Sequence, residues 1–497
     1  MNNESQLIKV RKEKLKRLKE LGIDPYPSKA FRTHKIREII ENNETLLKEE
    51  VRLKVVGRIR SLRKMGKASF FHIEDESGKI QIYLRKDNVG DIQYEIFKCC
   101  DLGDFVNIVG TLFYTKTGEL SIKAEKFIYL AKALRPLPVV KVKEEDGKQI
   151  LFDQLADKEI RYRKRYLDLL LNPEVKQRFI KRSKIIKLMR EFLDNQGFIE
   201  VETPILQPIY GGAAAQPFVT RHNKLNRDLY LRIADELYLK RLIIGGFEQV
   251  YEVCKDFRNE GMDRTHNPEF TQIELYQAYA DYSDIMKIVE DILGGITKEI
   301  KGDLTFEYNN ESINMQAPWR REPLFKLIKE YAGIEAEKAS AEELASFCNQ
   351  HAIELKLKTY GKAVDGIFKH FVEPHLIQPT FVIDYPKEIS PLAKSKKDNP
   401  KLVERFEVFI GGLEIGNAFT ELNDPIDQRE RLESQTKARD LGDLEANVVD
   451  EDFLEAMEYG MPPTGGLGLG VDRIVMLLTN AYSIKDVILF PQMKEEQ

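Results

Sequence analysis

The chain has 497 residues, 42% hydrophobic and 32% charged, with a formal net charge of −4. That length gives core enough for two to four domains, and the composition excludes a disordered or fibrous chain. No apolar run reaches the length of a bilayer span, the N-terminus lacks a secretory signal, and Cys99, Cys100, Cys254 and Cys348 form neither CxxC pairs nor a disulfide framework, so no membrane association and a reducing cytoplasm are expected.

Charge is unevenly spread: residues 1–150 carry 31 Lys+Arg against 22 Asp+Glu, and the remainder 46 against 59. A basic front on an acidic body suits a polyanion meeting the front. Residues 8–21 read as a basic helix with a thin apolar stripe (Ile8, Leu15, Leu18, Leu21), stopped by Gly22 and expected to dock on its own domain. From Val51, five short strands in about 80 residues predict a small barrel. Phe71, Ile73, Ile80 and Ile82 share its inner face, and Phe70, His72, Gln81 and Tyr83 the outer. An outward aromatic beside an amide, with Arg58, Arg60 and Arg63 nearby, is what single-stranded RNA requires, although an ordinary exposed aromatic reads the same way.

Ala133–Pro138 and the charged stretch Val142–Gly147 read as connectors. A second domain then opens with Val175, Phe179, Ile186, Met189 and Leu193 at helical spacing, followed by a strand over residues 198–204 that ends at Pro204. This pair is either core or a subunit contact. Gly211-Gly-Ala-Ala-Ala215 is a small-residue loop, and Glu236 begins a helical run, where it suits either an amine or the helix dipole.

Residues 257–276 are the most informative stretch. A strand end, a polar loop and a second strand place Phe270, Gln272, Glu274 and Tyr276 on one face, with Arg258, Glu260, Arg264 and His266 beside them. Residues 323–375 read as mixed helical filler. Gly411-Gly412 reads as a hairpin turn, pairing Phe409 with Glu414 and bringing Glu407 diagonal to it; two such carboxylates suit Mg²⁺. Asn417, Phe419 and Glu421 alternate onto the opposite face unless the strand bulges, with Gly416 the expected place. Finally, Gly465-Gly-Leu-Gly-Leu-Gly470 feeds an apolar helix carrying Arg473, suited to close backbone approach and a phosphate contact.

Together these segments resemble class II aminoacyl-tRNA synthetases, and within them the lysyl-tRNA synthetases of the bacterial type, over nearly the whole chain. Glu202-Thr-Pro204 resembles motif 1, Phe257-Arg-Asn-Glu-Gly261 with His266-Asn-Pro-Glu-Phe270 motif 2, and Gly468-Leu-Gly-Val-Asp-Arg473 motif 3. The resemblance implies an α+β fold: an N-terminal helical segment (1–50), an OB-type five-stranded anticodon-binding barrel (51–145) and a catalytic domain (146–497) whose antiparallel sheet is flanked by helices. It implies lysine activation by ATP, transfer to tRNA(Lys), and a homodimer built through motif 1. Arg258 and Arg473 are the implied catalytic residues. They join Glu260, His266, Asn267, Phe270, Glu407 and Glu414 around ATP. Glu407 and Glu414 ligate Mg²⁺, with up to three ions per site. Gly212, Glu236, Glu274, Tyr276, Asn417, Phe419 and Glu421 line the lysine pocket, and Arg63, Phe70, Gln81 and Glu119 match anticodon-reading positions. Two departures stand out: Gln216 where the family carries Arg, and Asp235 where many members carry Pro. A lysine-ligating paralogue that modifies protein would lack the barrel, and an aspartate or asparagine synthetase would lack these pocket carboxylates.

Overall fold

The computed structural model describes residues 6–138, 141–145, 148–152, 157–440, 442–443 and 445–495. The chain divides into two units, Met1–Gln154 and Leu155–Gln497.

In the first unit, β1 (Leu53–Met65), β2 (Ala68–Glu74), β3 (Lys79–Arg85), β4 (Phe105–Tyr114) and β5 (Leu120–Ala131) close into a barrel in the order β1-β2-β3-β5-β4. Alternation decides the faces: Phe71, Ile73, Ile80 and Ile82 are buried inside, while Phe70, His72, Gln81 and Tyr83 are half-buried on the outside. Closure needs sharp bends, and the ladder slips at Ile59/Ser61 and at Val109/Gly110. At Gly110 a Cβ would lie 2.0 Å from the Lys123 carbonyl oxygen, so only glycine fits there. Helix α1 (Gln6–Glu20) docks on this unit as expected: Leu18 enters the barrel core, and buried Arg11 donates to the carbonyls of Ala133, Arg135 and Leu102. The stretch read as a charged connector instead contributes a hairpin, β6 (Lys141–Glu145) paired with β7 (Lys148–Phe152); residues 146 and 147 lie outside the described residues.

The second unit is built on an eight-stranded sheet. Its strands are β8 (Ile199–Glu200), β9 (Gln249–Phe257), β10 (Glu269–Ala278), β11 (Arg320–Pro323), β12 (Thr380–Pro386), β13 (Leu402–Ile410), β14 (Leu413–Thr420) and β15 (Thr464–Gly470). The order is β11-β12-β13-β14-β15-β10-β9-β8, antiparallel except for the two edge pairings. One face is apolar: Ile273, Leu275, Phe406, Val408, Ile415, Leu467 and Leu469 pack under helices α2 (Pro173–Asn195), α4 (Tyr282–Lys301) and α10 (Val471–Thr479). Helix α4 starts where the Asp281 carboxylate accepts from the Ser283 and Asp284 amides, and stops at left-handed Gly302. On α2, fully buried Ile185 takes the core position expected of Ile186, which is only partly buried. Between α4 and β12, the stretch read as mixed helical filler forms helices α5 (Leu324–Ala332), α6 (Ala341–Gln350) and α7 (Tyr360–Phe371), which share a core with Val382 and Tyr385 of β12 and Val403 and Phe409 of β13. Helices α8 (Pro425–Asp440) and α9 (Glu451–Glu458) pack beside α3 (Glu236–Ile244).

The strand expected over residues 198–204 is cut to Ile199–Glu200. The Glu252 carboxylate accepts from the Thr203 amide at 3.0 Å and its hydroxyl at 2.7 Å, drawing the backbone off the ladder.

Candidate active site

The opposite face of the sheet is polar, and the register aligns its residues in rows across five strands. One row runs Glu407, Asn417, Gly468, Glu274, Glu252; the next runs Arg405, Phe419, Gly466, Tyr276, Val250. In β15 the leucines enter the core, whereas Gly466, Gly468 and Gly470 face the rows and offer only backbone. The sequence read this segment as a glycine-rich approach to a helix. In the fold it is a central strand that leaves a bare strip between two walls of side chains.

The conflict over Glu414 is resolved by a bulge, one residue before the Gly416 at which it was expected. Val408 pairs with Gly416 and Phe409 with Glu414, so Ile415 is the extra residue. Its side chain drops into the core, and Glu414 joins Asn417 and Phe419 on the polar face.

The motif 2 end is built around Arg258 and Phe270. The Arg258 guanidinium lies 5.0 Å from the Phe270 ring centroid, and its Nε donates to the Ile233 carbonyl. Arg473, in the first turn of α10, donates from Nη1 to the Glu414 carbonyl at 2.7 Å and its carboxylate at 3.1 Å. Its Nη2 lies 3.2 Å from His266 Nε2, while His266 Nδ1 sits 2.8 Å from Asp263, so a ring protonated at Nδ1 donates to Asp263 and accepts from Arg473. Asn267 is buried and donates to the Glu269 carbonyl at 2.6 Å; Glu260 is exposed on the loop.

Glu407 accepts from Arg405 at 2.6 Å and Tyr385 at 2.8 Å. Burial raises its carboxyl above the ordinary range. At Glu414 burial pushes the same way, but Arg473 and Lys369 outweigh it and the net shift is downward. Glu373 faces the same charges and is pushed up to about 7, first by burial and then by Glu414. This donor set, hard carboxylate oxygens held among arginines, fits a magnesium ion.

About 13 Å further along β10 from Phe270, four residues at the rise of a strand, the acids become deeply buried. Glu274, Glu236 and Glu421 are each less than a tenth exposed. Glu274 accepts from Gln272 and from the Tyr276 hydroxyl. Burial drives Glu274 and Tyr276 well above their ordinary values. Glu421 lies over the bare Cα of Gly466, beside Tyr276. Left-handed Gly212 closes on Glu236, where a Cβ would lie 3.1 Å from that side chain's own Cβ. Asp235 and Asp256 sit behind, fully buried, with Arg232 bridging Asp256 and Glu252. Gln216 contributes its carbonyl, which accepts from the Asn259 amide at 2.8 Å.

One face of the sheet thus carries Phe270, Glu274, Tyr276, Glu407, Glu414, Asn417 and Phe419; Gly212, Glu236, Arg258, His266, Asn267, Glu421 and Arg473 come from the loops, strand ends and helices, and Glu260 lies exposed on its loop. In the barrel, Phe70 pairs with Tyr83 across the strands at 4.9 Å between ring centroids, Gln81 donates to Glu119 at 2.6 Å, and Arg63 is exposed beside Phe70. Sequence reasoning passed over Lys240, Arg405, Tyr385 and Glu373. Two signals were available: Lys240 lies four residues after Glu236 on a helix, and Arg405 alternates with Glu407.

Comparison with known proteins gives the family. Residues 157–494 match the tRNA synthetases class II (D, K and N), and residues 53–130 match the OB-fold nucleic acid binding domain. The chain is 51% identical over 495 residues to the lysine–tRNA ligase of Bacillus subtilis (strain 168), covering 98% of this chain and 97% of that one. It is 51% identical to the lysine–tRNA ligase of Pelotomaculum thermopropionicum, covering 99% and 96%, and 50% identical to that of Carboxydothermus hydrogenoformans, covering 99% and 98%. The chain thus belongs to the class II tRNA synthetases and, within them, to the lysine–tRNA ligase family of ATP-dependent ligases.

Proposed function

We propose that the gathered face joins L-lysine to ATP and then to tRNA(Lys), with the lysine end of β10 choosing the amino acid and the motif 2 end holding the nucleotide. Lysine's carboxylate attacks the α-phosphorus, releasing pyrophosphate and forming lysyl-adenylate. The terminal ribose hydroxyl of tRNA then attacks the acyl carbon and AMP leaves. Neither step needs a protein nucleophile, so catalysis rests on alignment and charge stabilisation.

Arg258 holds the α-phosphate and the lysine carboxylate, Phe270 stacks on adenine and Glu260 reads its amino group. Arg473 and His266 hold the outer phosphates, with Asn267 bracing the loop between them. Glu407 and Glu414 hold Mg²⁺, which neutralises phosphate charge when bound. Gly212, Glu236, Glu274, Tyr276, Asn417, Phe419 and Glu421 form the lysine pocket. The observation that carries this reading is the row register: buried acids and Tyr276 share a glycine-floored face with the carboxylate pair and the arginines. A side-chain ammonium suits that pocket, whereas an acidic amino acid meets like charge.

On the barrel, Phe70 offers the stacking ring and Arg63, Gln81 and Glu119 the polar contacts for anticodon bases. The helical segment (1–50), barrel (51–145) and catalytic domain (146–497) divide these tasks. A homodimer forms through the motif 1 region, where Ile180, Ile199, Ile205 and Leu206 are exposed around the sheet-edge strand β8. Among the described residues no helix is long and apolar enough to cross a membrane, and we place the enzyme in the cytoplasm.

The test is Glu421→Gln. Lysine-dependent ATP–pyrophosphate exchange is expected to collapse while ATP binding persists; near-normal exchange would remove the pocket assignment.

A further inference from the structure

Lys240 is fully buried, and although burial pulls its ammonium towards the neutral form, Glu236 and Glu421 outweigh that pull and the net shift is upward. A buried ammonium is costly unless it is paired, and this one has two partners. From the second turn of α3 its Nζ lies 2.6 Å from Glu236 Oε1, the i,i+4 neighbour, and in ion-pair contact with Glu421 Oε2 just beyond β14. It also lies 5.4 Å from the Phe419 ring centroid. Every one of these neighbours belongs to the proposed lysine pocket. Both Glu421 oxygens are buried without a hydrogen-bond partner; Oε2 has the ion pair with Lys240, and Oε1 has none. It sits over Gly466 beside Tyr276, at the floor of the pocket.

Lys240 therefore engages one oxygen of Glu421 and leaves the other, Oε1, outside any ion pair at the pocket floor, where a substrate ammonium would be received.

We propose that Lys240 is a positioning residue of the amino-acid pocket: its ammonium bridges Glu236 and Glu421, fixes their separation, and leaves Glu421 Oε1 as the seat for the ammonium of the substrate. The inference rests on the pocket assignment above and adds a built-in cation to it. Burial pushes both carboxyls up, Glu421 well above the ordinary range, and Lys240 is the strongest influence in the opposite direction on each.

Lysine-dependent pyrophosphate exchange by Lys240→Met and Lys240→Gln tests this. KM for lysine is expected to rise at least about tenfold, KM for ATP to stay within about twofold, and kcat at saturating lysine to fall by less than about threefold. Lys240→Arg, which keeps the charge, is expected to recover part of the lysine KM. Unchanged lysine KM in both neutral variants, or an equal rise in both KM values, overturns the proposal. Because the neutral variants risk misfolding, a crystal structure of the unmutated protein with lysine provides an independent reading. Lys240 should still bridge the two acids, with the ligand's ε-ammonium on Glu421 Oε1. Lysine bound in this pocket with Lys240 displaced overturns the role of Lys240 alone. Lysine bound away from Glu236, Tyr276 and Glu421 overturns the pocket and, with it, this inference.

Discussion

Gly466→Ala is a small change placed where the account is most exposed. An alanine Cβ there would lie 2.0 Å from Glu421 Oε1 and 2.6 Å from the Tyr276 ring. Ordinary contact begins near 3.4 Å, so the carboxylate must retreat by about 1.4 Å or the strand must shift. A displacement of that size breaks a hydrogen bond to an ammonium, since such bonds fail beyond roughly 3.5 Å. Bonds to charged groups contribute about 1.5–3 kcal/mol, which converts to a rise in lysine KM of about 10- to 150-fold. Overpacking adds about 1–3 kcal/mol of destabilisation, visible as a lower Tm. Gly468→Ala, two residues along the same strand and face, meets nothing closer than the Glu274 Cγ at 3.7 Å and is expected to melt like the parent. The assay is pyrophosphate exchange titrated separately with lysine and with ATP. A Gly466→Ala enzyme whose lysine KM stays within threefold of the parent would refute the reasoning, because the clash would then have been relieved without moving Glu421.

Other expectations follow from other parts of the molecule. Arg473→Gln removes the guanidinium that meets both Glu414 and His266, and kcat/KM for ATP in exchange should fall by about 100-fold, as for loss of a charge-stabilising donor; an unchanged value would dissociate Arg473 from the nucleotide. Phe70→Ala should raise KM for tRNA in aminoacylation by about tenfold, the value of one lost base stack, and leave pyrophosphate exchange untouched. Burial, then the Asp235 charge, pushes Asp256 up to about 7, against an unfolded value near 4. The folded state therefore binds more protons than the unfolded state between these pH values, and the acid costs stability increasingly as pH rises through that window. Asp256→Asn also removes a buried partner of Arg232, so the expected signature is the trend: its stability relative to the parent should be lowest near pH 4 and improve towards pH 8, as followed by urea unfolding. A gap independent of pH would contradict the assignment.

Much of the fold was readable because alternation assigns faces within a strand. Phe70 and Phe71 separated correctly, and so did Glu274 and Ile273. Turn chemistry fixed the Gly411-Gly412 register, and the misfit between Glu414 and Asn417 required the bulge that Ile415 supplies. Other features depended on groups distant in sequence. Glycines disfavour strands, so Thr464–Gly470 lacked the signal of the central strand it is, and only its partners on β10 and β14 stabilise it there. Likewise, nothing local in Val201–Pro204 announces that Glu252 will capture its backbone. The spacing from Glu236 could pair Lys240 with one acid, but nothing local shows that the lysine is buried. Its burial is set by Glu421, almost two hundred residues away.

The central claim is that one glycine-floored face selects an amino acid by its side-chain ammonium. ATP–pyrophosphate exchange with each standard amino acid in turn, followed by aminoacylation of purified tRNAs, measures it directly. Lysine alone should drive exchange and load tRNA(Lys). Exchange supported equally by aspartate or asparagine would contradict the account.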